Sequence, residues 1–533
     1  MAIAFGVLGG LGLFLYGMNL MGIGLQKAAG ERLKKLIEVL TNNRLMGVLV
    51  GALVTMIIQS SSATTVMVIG FVNSGLMTLE QAVGVIMGAN IGTTITAQLI
   101  AFNLTDMAPL AVAIGVAIWI FTSKKRMKDL AEILIGFGIL FIGMDMMSGS
   151  LAPLAENPSF VNVMTSLNDP FLGVLVGLGL TTILQSSSAS IGLLQALAKQ
   201  NLISINIAFP ILFGDNIGTT TTALLSSIGT NKTAKRAAII HFLFNLIGTV
   251  IFMTILRIPV QKFVVALNPD NVQRQIANAH TLFNVINVII QFPFANLLVK
   301  IAKKIVPGDA EEETVGLKFL DSRIIETPSI AVGQASKEIY RMARIVEENL
   351  RTSERAFMEK DEKLTNEVFE QEKVINRLET DITEYIVELS KAPLTDEQHA
   401  TVNILLNAIN DIERVGDHAD NLAELAQYRI DNKILFSDEA IEELKIMFDK
   451  AEKVYIEAIE AFKTSDIDKA EDVLKLEEEV DYLEKKYRAN HIERLNNQLC
   501  QPSSGVVFLD IISNLERVSD HSSNIAQYVL GIN

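Results

Sequence analysis

From the N-terminus to about residue 305, long apolar runs alternate with short polar loops, without the three-to-four-residue stripe of a water-facing helix. A helix that crosses a bilayer needs roughly 20 apolar residues. The candidates are 2–25, 79–102, 107–121, 130–147, 203–228, 237–256 and 281–301, of which 107–121 is short for the task. Two more runs, 45–72 and 171–198, are broken near the middle by Gln-Ser-Ser-Ser. Such a break predicts a re-entrant hairpin or a discontinuous helix, because irregular backbone inside a membrane must be shielded by protein. The first run has no basic leader and no cleavage site and is rich in glycine, so it reads as a membrane segment and not as a signal peptide. After residue 330 the pattern changes to charged helices with an apolar stripe, broken near 392–395, 432–437 and 501–505.

The chain repeats itself. Residues 47–65 and 173–191 agree at 12 of 19 positions, and 88–97 and 214–223 agree at 8 of 10, both at an offset of 126. In the same register Gly12, Gly17, Met18 and Met21 fall on Gly138, Gly143, Met144 and Met147. Basic residues set the orientation of the copies. The loop 26–44 holds Lys27, Arg32, Lys34, Lys35 and Arg44, whereas its counterpart 152–170 holds no Lys or Arg. Equivalent loops are therefore expected on opposite sides of the membrane. With both broken runs making no net crossing, Lys124–Arg126, Lys128, Lys232, Lys235, Arg236, Lys300, Lys303 and Lys304 all fall inside, and only 257–279 mildly disagrees. The expected fold is all-α: a polytopic membrane protein of two inverted repeats with re-entrant or broken helices, followed by a helical-bundle tail. The divisions expected are 1–126 and 127–306 for the two repeats (the second with a final transmembrane helix), a linker at 307–329, and a tail at 330–533.

Composition agrees. Half of the 533 residues are hydrophobic and a fifth charged, with a mean hydropathy of +0.35. The net charge of −15 divides into 19 Lys+Arg against 11 Asp+Glu up to residue 308, and 26 against 49 beyond it. One cysteine excludes a disulfide framework and a cysteine-built metal site. No P-loop and no nucleophile–histidine–acid set occurs, so neither an ATP-driven pump nor an enzyme is expected. The basic residues form no continuous patch for nucleic acid.

The chemistry of the membrane part lies in the repeated polar blocks. Gln59, Ser60, Ser61 and Ser62, like Gln185, Ser186, Ser187 and Ser188, place polar groups where each unsatisfied one costs several kcal/mol. One serine is explained by a bond to its own helix or by close packing. Two such blocks in one register of an inverted repeat call for a ligand, with Thr64 and Ser190 nearby. The Gly-x-Asn-Ile-Gly-Thr-Thr blocks add Asn90, Thr93, Asn216 and Thr219. Their glycines are expected to unwind the helix and expose backbone, as at the ion and substrate sites of inverted-repeat transporters, where helix N-termini face anions and oxygens hold Na⁺. The rival reading is glycine packing, since Gly47/Gly51, Gly84/Gly88/Gly92 and Gly173/Gly177 have GxxxG spacing. Asp215, where the first copy has Ala89, is an intramembrane carboxylate and a candidate cation ligand. Asp145 is expected to be wetted, and His241 and His280 structural.

The twin QSSS blocks, each 29 residues before a Gly-x-Asn-Ile-Gly-Thr-Thr block, resemble the type II sodium–phosphate cotransporter family and its bacterial relatives over residues 1–305. The resemblance implies Na⁺-coupled transport of inorganic phosphate by alternating access, with both QSSS regions lining the site and Asn90, Thr93, Asn216 and Thr219 close by. In the tail, IERVGDHADN at 412–421 and LERVSDHSSN at 515–524 form a second repeat. Glu413 and Asp417, and Glu516 and Asp520, each lie four apart on one helical face, a spacing that holds hard ions when two helices face each other. The competing explanation is pairing with Arg414 and Arg517. This motif resembles PhoU, which implies a regulatory cytosolic domain and makes those four acids candidate ligands of a divalent or ferric ion. The expected setting is the cytoplasmic membrane, with the tail in the cytoplasm. A homodimer is compatible with the acidic tail, though no sequence feature specifies one. Two alternatives stay open: a non-transporting phosphate sensor, and Na⁺-coupled transport of another small anion or zwitterion.

Overall fold

The structure is a computed structural model that describes residues 2–29, 43–102, 104–308 and 316–532. The basic residues Arg32, Lys34 and Lys35 and the acidic stretch 309–313 lie outside the described residues. Among the described residues every regular element is helical. The chain divides into two compact units, Met1–Glu312 with Asp321–Ile330, and Glu313–Leu320 with Ala331–Asn533.

In the first unit α1 is Ala2–Ala29, α2 Arg44–Ile58, α3 Ser61–Asn73, α4 Leu79–Ala101, α5 Ala108–Phe121 and α6 Lys125–Leu151. A short α7, Pro158–Ser166, precedes α8 Pro170–Leu184, α9 Ser187–Lys199, α10 Ile205–Ser226 and α11 Lys232–Ile251. α12 Arg257–Leu267, α13 Val272–Gln291 and α14 Ala295–Ile305 complete it. Shifted by 126, α2 and α3 coincide with α8 and α9 end for end, and α4 with α10 to within one residue. Five helical stretches are long and apolar enough to cross a membrane: Ala2–Ala29, Leu79–Ala101, Lys125–Leu154, Lys232–Leu267 and Val272–Ile305. Two expected spans fall outside that class. α5 has only 14 residues. α10 has 22, but its Asp, Asn and Thr content lowers its hydropathy.

The inverted relation follows from contacts. α1 and α6 are equivalent helices and pack on each other through glycines. A Cβ on Gly10 would meet Gly143 O at 2.8 Å, and one on Gly17 would meet Gly136 O at 2.6 Å. Since 10 and 17 correspond to 136 and 143, each glycine meets the counterpart of the other. That is the signature of a two-fold axis across antiparallel helices. Ion pairs then sort the helix ends onto two faces. Glu80, opening α4, meets Lys303 of α14 at 3.5 Å, and Asn73, closing α3, receives the Asn231 amide ahead of α11 at 2.9 Å. At the other end Lys199, closing α9, meets Asp145 of α6 at 2.9 Å and Thr105, beyond α4, at 3.5 Å. Hairpin α2–α3 thus enters and leaves by the face where α4 begins, and hairpin α8–α9 by the face where α4 ends. Fifteen residues in α2 reach about 22 Å at 1.5 Å per residue, short of a full crossing.

The Gly-x-Asn-Ile-Gly-Thr-Thr blocks do not unwind. α4 and α10 run through them unbroken. Their glycines admit the hairpin instead: a Cβ on Gly88 would lie 2.0 Å from Val48 O, and one on Gly214 2.0 Å from Val174 O. The helix cost of glycine, about 1 kcal/mol, is met by backbone approaching backbone.

In the second unit six helices, α15 Pro328–Glu359 (from residue 331), α16 Glu362–Leu389, α17 Asp396–Asp431, α18 Asp438–Thr464, α19 Ile467–Asn496 and α20 Pro502–Leu530, each bury apolar side chains.

Candidate functional site

Both QSSS blocks build the same turn. α2 ends at Ile58, Gln59 takes left-handed angles (φ 61, ψ 20), and Ser60 returns to extended backbone to cap α3. Gln185 (φ 53, ψ 22) and Ser186 repeat this between α8 and α9. The cap oxygens accept from the Ala63 amide at 3.1 Å and the Ala189 amide at 3.2 Å. A left-handed glutamine costs roughly 1 kcal/mol, and its side chain offsets this. Gln59 Nε2 donates to Met56 O at 2.6 Å, and its Oε1 accepts from Thr96 of α4 at 2.9 Å. Gln185 does the same with Thr182 O at 2.6 Å and Thr222 of α10 at 2.8 Å. The glutamines hold the turn and tie it to the long helix beside it.

The remaining serines differ. Ser61, Ser62, Ser187 and Ser188 stand in the first turns of α3 and α9, and among the described residues their hydroxyls make no hydrogen bond. Ser61, Ser187 and Ser188 are buried, and Ser62 is half-buried. The first-turn amides there also lack intrahelical acceptors, so each tip presents N–H and O–H groups at the positive end of a helix dipole. α10 packs against both α3 and α9, as does α4.

Halfway along the long helices, Asn90 Nδ2 donates to Ile86 O at 2.8 Å and Asn216 Nδ2 to Leu212 O at 2.7 Å. Thr93 and Thr219 donate to Ala89 O and Asp215 O at 3.2 and 2.9 Å. With one amide hydrogen of each asparagine and the hydroxyl hydrogen of each threonine bonded to its own helix, the side-chain oxygens remain as acceptors. Beside these matched bonds the copies differ in charge. Asp215 Oδ1 accepts from Thr181 at 2.9 Å and Ser190 at 2.7 Å, while Oδ2 is buried without a partner. In the first copy, where Ala89 stands, the corresponding hydroxyls of Thr55 and Thr64 bond each other at 3.0 Å. Thr55, Thr96, Thr181 and Thr222 escaped the sequence reading. Their signal was there, since Thr55 and Thr181 match within the first repeated block.

Asp145 is largely exposed and paired with Lys199. His241 and His280 are fully buried within α11 and α13. Both ring nitrogens of His241 and Nδ1 of His280 lack partners.

In the tail, Arg414 lies 2.9 Å from Asp417 and 3.8 Å from Glu413, so the first pair is engaged by its own arginine. Asp520 gathers instead with Glu477 and Asp481 of α19, their carboxylate oxygens within 4.8 Å of one another. Burial, then the charge of its neighbours, pushes both Glu477 and Asp520 up. Glu516 is raised by burial and by Asp520. The three clustered acids are all-oxygen donors, suited to a hard cation. Glu372, facing Asp417, Asp420 and Glu413, is pushed up to about 7 by burial and then by their charge. Glu477 and Asp481 carry the same four-residue spacing as the acids picked out in the sequence, and that spacing was the overlooked signal.

Residues 13–149 and 142–267 match the model of the Na⁺/Pi-cotransporter family, and residues 339–426 and 444–529 match that of the PhoU domain. The chain is 24% identical, over 98% of its length and 97% of the relative's, to the "Putative inorganic phosphate export protein YjbB" of Salmonella typhimurium. It is 32% identical to an uncharacterized protein, YqeW, of Bacillus subtilis, over 55% of this chain and 95% of that one. It is 43% identical to the human "Sodium-dependent phosphate transport protein 2C" over 17% of this chain and 16% of that one.

Proposed function

The chain belongs to the Na⁺/Pi-cotransporter family and carries a PhoU domain, and from that premise we propose that it moves inorganic phosphate across the cytoplasmic membrane by Na⁺-coupled alternating access between its two inverted halves. One observation carries the reading: at two helix tips the hydroxyls of Ser61, Ser62, Ser187 and Ser188 make no hydrogen bond among the described residues, beside a buried carboxylate with one unpartnered oxygen, while Ser60 and Ser186 cap the amides of Ala63 and Ala189. The tips suit a phosphate, whose oxygens accept N–H and O–H bonds at a helix N-terminus. Ser61, Ser62, Ser187 and Ser188 are the donors, and Gln59, Gln185, Ser60 and Ser186 set the turns. Asp215, with Ser190, Thr181 and the side-chain oxygens of Asn216 and Thr219, suits Na⁺. Asn90, Thr93 and Thr64 form its uncharged counterpart in the first half.

The face bearing Lys232, Lys235, Lys303 and Lys304 is assigned to the cytoplasm by its positive charge, and the tail that follows it is assigned there too. Direction follows the summed gradients: inward when the Na⁺ gradient dominates, and outward when internal phosphate outweighs it, as the name of the Salmonella relative suggests. In the tail, Glu477, Asp481 and Asp520 are the set to which we assign a hard divalent or ferric ion. The deciding test is phosphate flux into proteoliposomes with and without a Na⁺ gradient. Gradient-driven accumulation is expected. Equal rates remove the coupling, and binding without flux leaves a sensor.

A further inference from the structure

The stretch 321–327 follows the acidic linker and precedes α15, yet it belongs to the membrane unit. Arg323 Nε donates to Ser226 O, the last residue of α10, at 2.7 Å, and Nη2 donates to Ile228 O at 3.3 Å. Its Nη1 is paired with Asp321 at 2.8 Å. Asp321, itself buried, accepts from Asn73 Nδ2, at the end of α3, at 3.0 Å. Asn73 in turn receives the amide of Asn231 at 2.9 Å and gives its carbonyl to Asn231 Nδ2 at 2.8 Å. Ile324, fully buried, sits over Gly70 of α3, where a Cβ would lie 3.1 Å from its Cγ1. One short segment therefore holds together the far ends of α3, from the first half, and α10, from the second. Those are the helices whose other parts carry Ser61, Ser62 and Thr64, and Asp215, Asn216 and Thr219.

The neighbouring stretch is bound just as firmly to the other unit. The amides of Lys318 and Phe319 donate to the buried Glu338 at 3.1 and 2.6 Å, and Arg341 Nη2 donates to Gly316 O at 2.9 Å. Between the end of one anchored stretch, Leu320, and the start of the next, Asp321, no residue intervenes.

We propose that residues 321–327 are a latch: seated, they hold α3 and α10 together at the face where both end and so close the phosphate site on that side, and the tail releases them through the chain to which they are joined. The inference rests on the transport reading for its consequence, but not for its mechanics. Separating two packed helices at their ends is how one half of an inverted-repeat carrier opens against the other. Polar groups buried as deeply as Asp321 also make the seated and released forms two distinct states, because a half-made network is costly.

The test has two arms on the full-length protein. In a Cys500→Ser background, Gly70→Cys with Ile324→Cys places two thiols where contact exists. Oxidation is expected to cut phosphate flux in proteoliposomes at least tenfold, with full recovery on reduction and with phosphate binding retained. Equal flux in both states overturns the latch, as does loss of binding together with flux. The second arm needs no transport. Arg323→Ala is expected to speed amide exchange at least tenfold in 321–327 and in the last turns of α3 and α10. Unchanged exchange at those helix ends overturns the proposal. Should the unmodified protein move no phosphate, the transport reading fails and the exchange arm still decides the latch.

Discussion

Asp215→Asn separates charge from shape at a place where the two halves differ in charge. The amide oxygen still accepts from Thr181 and Ser190, whose hydroxyls lie 2.9 and 2.7 Å from Oδ1. What disappears is the negative charge, part of it on an oxygen that is buried and unpartnered. Two unit charges 4 Å apart at an effective dielectric of 20 attract by about 4 kcal/mol. If half of that survives the desolvation of Na⁺, the substitution costs roughly 2 kcal/mol, or about thirtyfold in Na⁺ affinity. The assay is thermal unfolding of the whole protein in NaCl against choline chloride at matched ionic strength. At 100 times its dissociation constant Na⁺ stabilises a folded protein by about 2.7 kcal/mol, and a site thirtyfold weaker retains only about 0.9 kcal/mol. In choline the variant is expected to be at least as stable as the parent, since an uncompensated buried charge is gone. In flux the half-saturating Na⁺ concentration should rise about thirtyfold at saturating phosphate. A variant that keeps the full Na⁺-dependent stabilisation refutes the assignment of Asp215 as the sodium ligand.

Three further outcomes follow from the same geometry. Ser60→Ala and Ser186→Ala remove helix caps and should each lower stability by about 1 kcal/mol, whereas Ser61→Ala and Ser187→Ala should leave stability alone and raise the phosphate KM about tenfold, one hydrogen bond to a charged ligand being worth roughly 1.5–3 kcal/mol; flux and unfolding measured on the same samples would expose a reversed pattern. Gly214→Ala forces a methyl to within 2.0 Å of Val174 O and should destabilise by at least about 1–3 kcal/mol, whereas Gly179→Ala, inside α8 with open space around it, should stabilise by up to about 1 kcal/mol in the same unfolding assay. In the tail Glu354 is pushed up to about 7 from 4.5, first by burial and then by Asp449 and Glu452; a carboxyl raised in the folded state penalises folding once pH exceeds its unfolded value, so Glu354→Gln should protect the tail against amide exchange at pH 8 by about 1 kcal/mol after allowance for partial exposure, and the gain should shrink as pH falls through 7 and vanish near 4.5.

How much was legible in the chain depended on which interactions are local. The breaks at Gln59 and Gln185 showed because four polar residues inside an apolar run have few places to go, and the repeat at 126 residues showed because the two halves bury the same groups. Unwinding at Gly88–Thr94 and Gly214–Thr220 was the wrong inference. Glycine's helix cost is a local quantity, but Val48 and Val174, whose carbonyls lie where a Cβ would sit, come from another helix 40 residues away. The same limit hid the work of Gln59: a left-handed residue that reaches Met56 O and Thr96 needs two helices to be seen. In the tail, spacing picked out Glu413 and Asp417 as readily as Asp520, and only the third dimension separates a pair engaged by Arg414 from one that meets Glu477 and Asp481.

Asymmetry is the less obvious consequence. Among the described residues seven side-chain hydrogen bonds recur at an offset of 126, from the caps Asn43 and Asp169 through Gln59 and Gln185, Ser60 and Ser186, Asn90 and Asn216, Thr93 and Thr219, to Thr94 and Thr220. Against so close a match, the exchange of Ala89 for Asp215 stands out as a change in charge with no change in scaffold. Two halves built alike can trade places between inward-open and outward-open forms at little energetic difference, which is what reversible carriage requires. On the proposed reading, the buried carboxylate of Asp215 in one half makes cation occupancy, and not the fold itself, the quantity that biases which form prevails. Ala89→Asp together with Asp215→Ala would move that charge to the other half, beside Thr55 and Thr64. If charge alone sets the bias, Na⁺-dependent stabilisation should return while the preferred side of access reverses; a double variant that keeps the parent's preference would show that the bias lies elsewhere in the scaffold.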